Sequence, residues 1–571
     1  MNDDELPDPK KSIVGWTNRQ RKRGFLPRKN QKIEGIDLTT GGPKGEPFAP
    51  AIKEAERILK REDTMHEYHS TRSAFSDANY GEYFQSLGVC KPDGSKLGRE
   101  NFVPGNGATH LYAAAVQSVL KKDDVLVVPV PTYGFFLDPD NLEGKRVVPL
   151  YLRPEDDYRL TPECLDSELN RINKELASEH PPKKVTALLH INPHNPTGIV
   201  NGQFDVEYLA EVIKKHNLRL VIDDMAYLGL EYGRRHRESS LPDSLKSPPI
   251  AYPMAAVPGM FDKTLTIMSL SKAYNLVDLR AGLAAGPKKF IDAMEHNIMR
   301  NIEYPSSIGQ IAINAVFDPE NKEAKDEYLA SRAHRLAMNQ YGLRALINGW
   351  NNDKEAQEAF ECSQDDFFCV FTLRPSIDEN ANFDRQTYMD KISELHKKNE
   401  EIRESEIMLD EAKPYIINKN QNTINGLSHK MVEHMKEFYE IQRIQKAMRS
   451  LMETGIPGIK TVNSVESGFF MLLDATELKG KYIGKTKIND ASDFTRALSK
   501  YKGVYLIPGT AMGDPSDRIL LRLSFPEEMV AGTEERKSIV DGLTRLREFT
   551  QMLKDHPGPL PARTSSKKRE R

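Results

Sequence analysis

Leu265-Thr-Ile-Met-Ser-Leu-Ser-Lys272 is followed eight residues later by Arg280 and then by Gly282. Its first half is a short apolar, β-branched run, and its second half sets two hydroxyls and a lysine where that run ends. A lysine alone says little. A nucleophilic amine, two hydroxyl donors and a fixed guanidinium on one strand-to-loop segment form a set suited to a phosphate dianion.

Three further runs, Val125-Leu-Val-Val128, Ala187-Leu-Leu-His-Ile191 and Leu220-Val-Ile222, give way in the same manner to turn-rich or polar residues. Between Asn101 and Gln310 such runs alternate with amphipathic stretches, the signature of buried strands in a mostly parallel sheet. The fold class expected is therefore α/β. Ligands of open parallel sheets bind at the carboxyl ends of the strands, and the other unusual segments fall there. Asn192-Pro-His-Asn-Pro-Thr-Gly198 has two Asn-Pro pairs and a closing glycine, which restrict the backbone and present an asparagine amide at a set place. Val221-Ile-Asp-Asp-Met-Ala-Tyr227 delivers a carboxylate and, three residues on, a phenol. Pro104-Gly-Asn-Gly-Ala-Thr109 precedes the helix-like run Leu111 to Leu120, and its small residues leave backbone N–H groups open to an anion.

These four segments, in this order, resemble the class I/II aminotransferases, a group of fold-type I pyridoxal-phosphate enzymes. The likeness runs from about Asp37 to Phe525, a polar insertion apart. It implies a three-layer large domain with a mostly parallel sheet, a smaller α+β domain, and pyridoxal 5'-phosphate as cofactor. By the same resemblance Lys272 carries the cofactor as an internal Schiff base and moves the proton, and Asp224 pairs with the ring nitrogen. Asn195 and Tyr227 hydrogen-bond the ring's phenolic oxygen, and Tyr133 stacks on the ring. Gly107, Ala108 and Thr109, with Ser269, Ser271 and Arg280, hold the phosphate, which Tyr68 reaches from the neighbouring subunit of a homodimer. Arg522 grips the substrate α-carboxylate, with Gly42 and Asn195 closing near it.

Plainer readings stand beside these. Asp224 has Asp223 as an adjacent competitor and could cap a helix, although the spacing to Tyr227 favours Asp224. Arg522 lies in an apolar strand, where a charge without a partner is costly. Arg300 falls where aspartate-type enzymes place a second arginine, and a helix-surface arginine is the plainer reading. His190 and His194 are read as structural. The family commonly carries glycines between the lysine and the arginine, whereas this chain has Asn275 and Asp278. An acid near the phosphate edge makes a differently shaped loop and a specialised reaction worth keeping in view.

The whole chain sets the remaining bounds. At 571 residues it exceeds one hydrophobic core. The division expected is an N-terminal arm (1–36), a linker with the start of the small domain (37–100), a cofactor domain (101–320) and a C-terminal small domain (321–571). The last of these contains a polar insertion at about 348–427, with a charge-dense helix from Met389 to Lys413. The segment Arg19 to Lys32 and the tail Lys567 to Arg571 are read as solvated ends. A hydrophobic share of 39% and a net charge of −3 describe an ordinary globular protein, so neither nucleic acid nor membrane is an expected partner. No apolar run reaches bilayer length and the opening residues are acidic, so cytoplasmic residence is expected. Cys90, Cys164, Cys362 and Cys369 show no pairing or ligand spacing, and no metal site is expected.

An amino-acid aminotransferase using an oxo acid acceptor is the leading expectation. A lyase or carbon–carbon bond-forming enzyme on the same scaffold, acting on S-adenosylmethionine or aspartate, is the alternative. A regulator built on this domain would need a DNA-binding module, and the segment before Asp37 is too short for a winged helix.

Overall fold

The computed structural model describes residues 35–39, 42, 45–60, 77–138, 145–234, 249–360, 382–405, 412–514, 517–527 and 534–555. Tyr68, Cys362, Cys369, most of the N-terminal arm and the basic tail lie outside them.

In chain order the first elements are β1 (Ile36–Asp37), α1 (Ala49–Leu59), α2 (Asp77–Ser86), β2 (Phe102–Gly105), α3 (Ala108–Ser118), β3 (Val125–Val130) and β4 (Arg146–Tyr151). Then come α4 (Pro162–Leu176), β5 (Ala187–Ile191), α5 (Gln203–Lys215), β6 (Leu220–Met225), β7 (Thr264–Ser269), the single turn α6 (Leu270–Ala273) and β8 (Gly282–Ala285). A seven-stranded sheet runs β2-β8-β7-β6-β5-β3-β4, and β8 is antiparallel to both of its neighbours while the other pairs are parallel.

The strands read as unbroken apolar runs because both faces are covered. Val125, Val127, Leu188 and Val221 point to one side, where Leu165 and Leu169 of α4 and Val206 and Leu209 of α5 meet them. Leu126, Val128, Leu189 and Ile222 point to the other, against Leu111 and Ala115 of α3 and Phe290 and Met294 of α7 (Lys288–Ile302). This is the three-layer arrangement expected. Local chemistry agrees with it: α4 opens with Pro162 behind Thr161, whose hydroxyl accepts from the Cys164 amide at 3.1 Å.

Beyond α7 follow α8 (Ser307–Phe317), α9 (Lys322–Asn348), α10 (Lys354–Phe360), α11 (Gln386–Glu404), α12 (Lys413–Thr454), β9 (Lys460–Thr461) and β10 (Phe470–Asp474). The hairpin β11 (Tyr482–Ile483) and β12 (Thr486–Lys487), α13 (Ala491–Lys502), β13 (Val504–Tyr505), β14 (Ile507–Pro508), β15 (Leu520–Ser524) and α14 (Glu534–Asp555) complete the chain. A second, antiparallel sheet runs β14-β15-β10-β9, and β1 pairs in parallel with β13.

Three expectations change in detail. The run Val504–Ile507 is not one strand: Val504 and Tyr505 pair with β1, and Ile507 and Pro508 pair with β15. The charge-dense helix is α11, which ends at Glu404, and Lys413 starts a separate helix. Within the polar stretch 348–427, α10 buries Ala356, Ala359 and Phe360 in the main core, whereas α11 and the first half of α12 form a largely exposed outgrowth. The two helices of the outgrowth are tied by Asn420 Nδ2 donating to the buried Asn399 Oδ1 at 2.8 Å.

Candidate active site

The motif residues meet at the carboxyl ends of β5, β6 and β7 and the facing edge of the second sheet. Lys272 stands on α6 directly after β7, and its Nζ lies 5.8 Å from the centroid of the Phe469 ring. Phe469 packs at 5.9 Å against the ring of Tyr227, which also meets Phe470 edge-on at 5.2 Å. The Tyr227 hydroxyl takes a 3.3 Å hydrogen bond from Asn195 Nδ2. Asn195 Oδ1 accepts from Arg522 Nη1 at 3.1 Å, and Arg522 Nη2 donates to the Thr39 carbonyl at 3.0 Å. Six side chains from five separate places in the chain thus form one continuous wall.

The loop that holds Asn195 is fastened from several sides. His194 N–H donates to Ile199 O at 2.8 Å, Gly198 N–H to His194 O at 2.7 Å, and Asn463 Nδ2 to Thr197 O at 2.9 Å. Asn192 donates to Asn201 O at 2.8 Å and accepts from the Asn201 amide at 2.9 Å. His194 is buried, its Nδ1 sits 2.8 Å from Thr197 Oγ1, and burial, with His190 nearby, drops its pKa to about 3. It is a neutral packing residue, as expected.

Strand periodicity separates the two adjacent aspartates. Asp223 is fully enclosed, with His190 Nδ1 at 2.7 Å on one oxygen and the Met254 amide at 2.9 Å on the other. The Asp224 carboxylate accepts a 3.0 Å bond from the Ala226 amide, and burial pushes its carboxyl up to about 7, with Asp223 adding to the rise. Burial also holds the Tyr227 phenol well above its ordinary range, against the pull of Arg522. Both groups are therefore primed to meet a partner that supplies positive charge or accepts a proton.

At the other end, Gly107 caps the start of α3 at φ 86°. A β-carbon there would stand 2.8 Å from Arg280 Nη2, so the cradle between them exists only because the residue is glycine. Arg280 reaches Ser271 Oγ at 3.5 Å and Asn106 O at 3.4 Å, and Ser269 Oγ accepts from the Ser271 amide at 3.2 Å. The Ala108 and Thr109 amides open α3 beside them. Tyr133, 41% exposed, presents its ring at the end of β3, parallel to Phe135 at 6.0 Å. Gly42 is half-buried in the segment that carries Thr39.

The departures from the family loop resolve simply. Asn275 takes the left-handed conformation, φ 55°, that a glycine would supply, and Asp278 is exposed. Arg300 is exposed in the last turn of α7, which is the plain reading of it. Phe469 and Phe470 line this wall and are legible in sequence only as strand residues, whereas Thr39 lies in the Asp37–Gly42 segment expected near the substrate carboxylate and contributes a backbone carbonyl.

The model of the aminotransferase class I and II family matches residues 33–427. The chain belongs to that family. Aspartate aminotransferase of Pinus pinaster is 30% identical over 214 residues, 37% of this chain and 38% of that protein. The bifunctional aspartate aminotransferase and glutamate/aspartate-prephenate aminotransferase of Petunia hybrida is 29% identical over 281 residues, 48% of this chain and 51% of that one. The chain therefore spans only about half, or less, of these curated relatives. Among solved structures, the aspartate aminotransferase of Rhizobium meliloti superposes with a TM-score of 0.58 at 18% identity, covering 95% of each chain. That of Thermus thermophilus with maleate gives 0.56 at 17%, covering 96% of this chain and 97% of its own. At such identity these two show a shared fold.

The family works with pyridoxal 5'-phosphate, and the residues present fit it. The glycine cradle beside Arg280, two hydroxyls and a helix start suit a phosphate. A buried carboxylate and a phenol–amide pair suit the polar edges of the ring.

Proposed function

We propose that this chain is a pyridoxal-phosphate-dependent aminotransferase acting on an α-amino acid and an oxo acid, with Lys272 as the attachment point. The observation that supports it is the run of contacts Lys272–Phe469–Tyr227–Asn195–Arg522, which links the lysine and the guanidinium that the family likeness assigns to cofactor and substrate carboxylate. In this reading Gly107, Ala108, Thr109, Ser269, Ser271 and Arg280 hold the phosphate and Tyr133 covers the ring. The bound cofactor supplies an electron sink conjugated to the substrate α-carbon.

The chain's own residues do the rest. Asp224, buried and reluctant to ionise alone, would be stabilised as a carboxylate by a protonated ring nitrogen and would hold that charge in place. Tyr227, kept protonated, donates its hydroxyl hydrogen, and Asn195 Nδ2 orients that hydroxyl. Arg522 binds the substrate carboxylate through its planar fork, which turns the α-hydrogen toward Lys272. Lys272 Nζ, as a neutral amine, would take that hydrogen as a proton and hold it as an ammonium until it is handed back to the substrate–cofactor pair.

The division into a cofactor domain (101–320) and a C-terminal small domain (321–571), the homodimer with Tyr68 reaching a neighbour's phosphate, and cytoplasmic residence belong to the same proposal and rest on the family likeness. No helix among the described residues is long and apolar enough to cross a membrane. The relatives compared carry aminotransferase names, and with Asn275 and Asp278 accounted for, nothing favours the lyase alternative.

Purified protein given pyridoxal phosphate is expected to gain visible absorbance and to yield a reduced adduct at Lys272 after borohydride. Mixing with a panel of amino acids should then release the matching oxo acid and leave the aminated cofactor. Lys272→Ala should lose the adduct and turnover. An adduct at another lysine, or product release with the cofactor still aldehydic, overturns the proposal.

A further inference from the structure

Arg332, on α9, is among the largest fully buried side chains of the described residues, with no exposed surface. Its Nη1 donates to the backbone carbonyls of Lys272, at 2.9 Å, and of Ala273. Its Nε donates to Glu527 Oε2 at 2.6 Å. Glu527, just beyond β15, is equally enclosed, with a side chain 1% exposed. Its other oxygen accepts from Arg335 Nε at 3.0 Å, and Asn339 Nδ2 donates to its own carbonyl at 2.7 Å.

Two physical points make this more than packing. A one-turn helix has no intrahelical donors for its last carbonyls, and α6 ends on the residues that Arg332 serves. A cation at that end satisfies them and fixes the backbone from which the Lys272 side chain departs. Removing both an arginine and a glutamate from water costs more than a simple ion pair returns, and apolar residues could fill the same space. What apolar residues could not supply is a planar donor fork that reaches two carbonyls and a carboxylate at once.

Glu527 also ties this anchor to the substrate side. It lies five residues beyond Arg522 on the same strand exit. A β-carbon at Gly45 would stand 2.6 Å from its Oε2, so the backbone at Gly45 packs directly on it. The carboxylate therefore meets Gly45 from a position just past the strand that carries Arg522, while its guanidinium partner holds the Lys272 carbonyl.

We propose that Arg332, held by Glu527, is a positioning residue that sets the backbone of Lys272 relative to the carboxylate-binding Arg522. The proposal rests on Lys272 being the cofactor lysine. Both residues lie outside every motif that identifies the family in this chain.

The test uses the full-length holoenzyme and the variants R332M, R332K and E527Q. Readouts are the visible circular dichroism of the bound cofactor, which reports its orientation, the Kd for pyridoxal phosphate, and steady-state kinetics with the best amino donor from the panel. R332M is expected to bind the cofactor within about threefold of the parent, to change its visible dichroism, and to lose kcat on the order of 10- to 100-fold with KM little altered. R332K, which keeps one donor toward the carbonyls, should recover part of both signals. E527Q should fall between the parent and R332M, and it decides the matter if R332M does not fold. An unchanged dichroism and kcat in E527Q, or in a folded R332M, overturns the inference. A parent protein that forms no adduct at Lys272 overturns the proposed function instead, so the two failures are distinct.

Discussion

Arg522 Nη1 donates to Asn195 Oδ1 over 3.1 Å, joining the middle of β15 in one sheet to the loop that follows β5 of the other. Both partners are buried, at 7% and 6% exposure. The contact leaves the guanidinium oriented before any substrate arrives, which lowers the ordering cost of binding a carboxylate.

Arg522→Ala should therefore act on substrate far more than on cofactor. Losing a buried cationic partner costs about 2–5 kcal/mol, or roughly 30- to 4,000-fold in affinity. A rise in KM for the amino donor of at least that lower size, with the Kd for pyridoxal phosphate within threefold, is the expected result. An unchanged KM removes Arg522 from the site.

Asp224 gives a prediction about pH. Its carboxyl titrates near 7 when folded and at about 3.9 when unfolded, so between those values the native state holds more protons. Stability contributed by the protonated form is complete below pH 4 and is lost as pH rises through 7. Asp224→Asn abolishes this term. Without cofactor, the variant should gain on the parent between pH 4 and pH 7, by on the order of 1–4 kcal/mol, and hold that gain above pH 7. Urea titrations at pH 4, 5.5 and 8 measure it; equal differences at all three would show that Asp224 is not held as described.

Gly107→Ala tests the phosphate cradle. The new methyl meets Arg280, and an alanine must also adopt φ 86° and ψ 167°, a glycine-only region that costs about 1–3 kcal/mol. Cofactor affinity should drop roughly tenfold or more by fluorescence titration, with thermal stability of the cofactor-free protein lowered far less than a core truncation would lower it. Full-strength binding would mean that the phosphate sits elsewhere.

His190→Leu should destabilise the fold without entering the chemistry. It takes a 2.7 Å partner from Asp223, a group with no exposure, at a cost of about 1–3 kcal/mol. A lower urea midpoint with kcat within a few-fold of the parent is expected, whereas a large loss of kcat at unchanged stability would give His190 a direct role.

Much of this site could be read in one dimension because its parts are local. Ala187–Ile191 is a strand with the boundaries expected, since a strand covered on both faces must be continuously apolar. The motif residues follow such runs by a few positions, so finding the runs finds the motifs. Spacing to Tyr227 favours Asp224 over Asp223, and the alternation of strand side chains gives the two adjacent carboxylates different surroundings. Arg332 was invisible for the opposite reason. In sequence it is one arginine of a polar helix, three residues from the half-exposed Arg335, and its partner is 195 positions away. Nothing local distinguishes a guanidinium that faces solvent from one that caps a buried turn. The joint at Leu506, where one apolar run serves two sheets, was hidden likewise, because pairing partners are not written into a strand's own residues.

The 42 residues of α12 make one uninterrupted rod, about 63 Å at the standard rise, whose far end buries Met448, Leu451 and Met452 while its near end stands in the outgrowth. With no joint along it, the azimuth of the outer end is dictated by the inner one. Related chains can lengthen or shorten the spur only in steps that restore angular phase, near seven or eleven residues. Any other step swings the whole spur around the body, carrying its exposed Tyr415 and Val432 to a different side of the molecule.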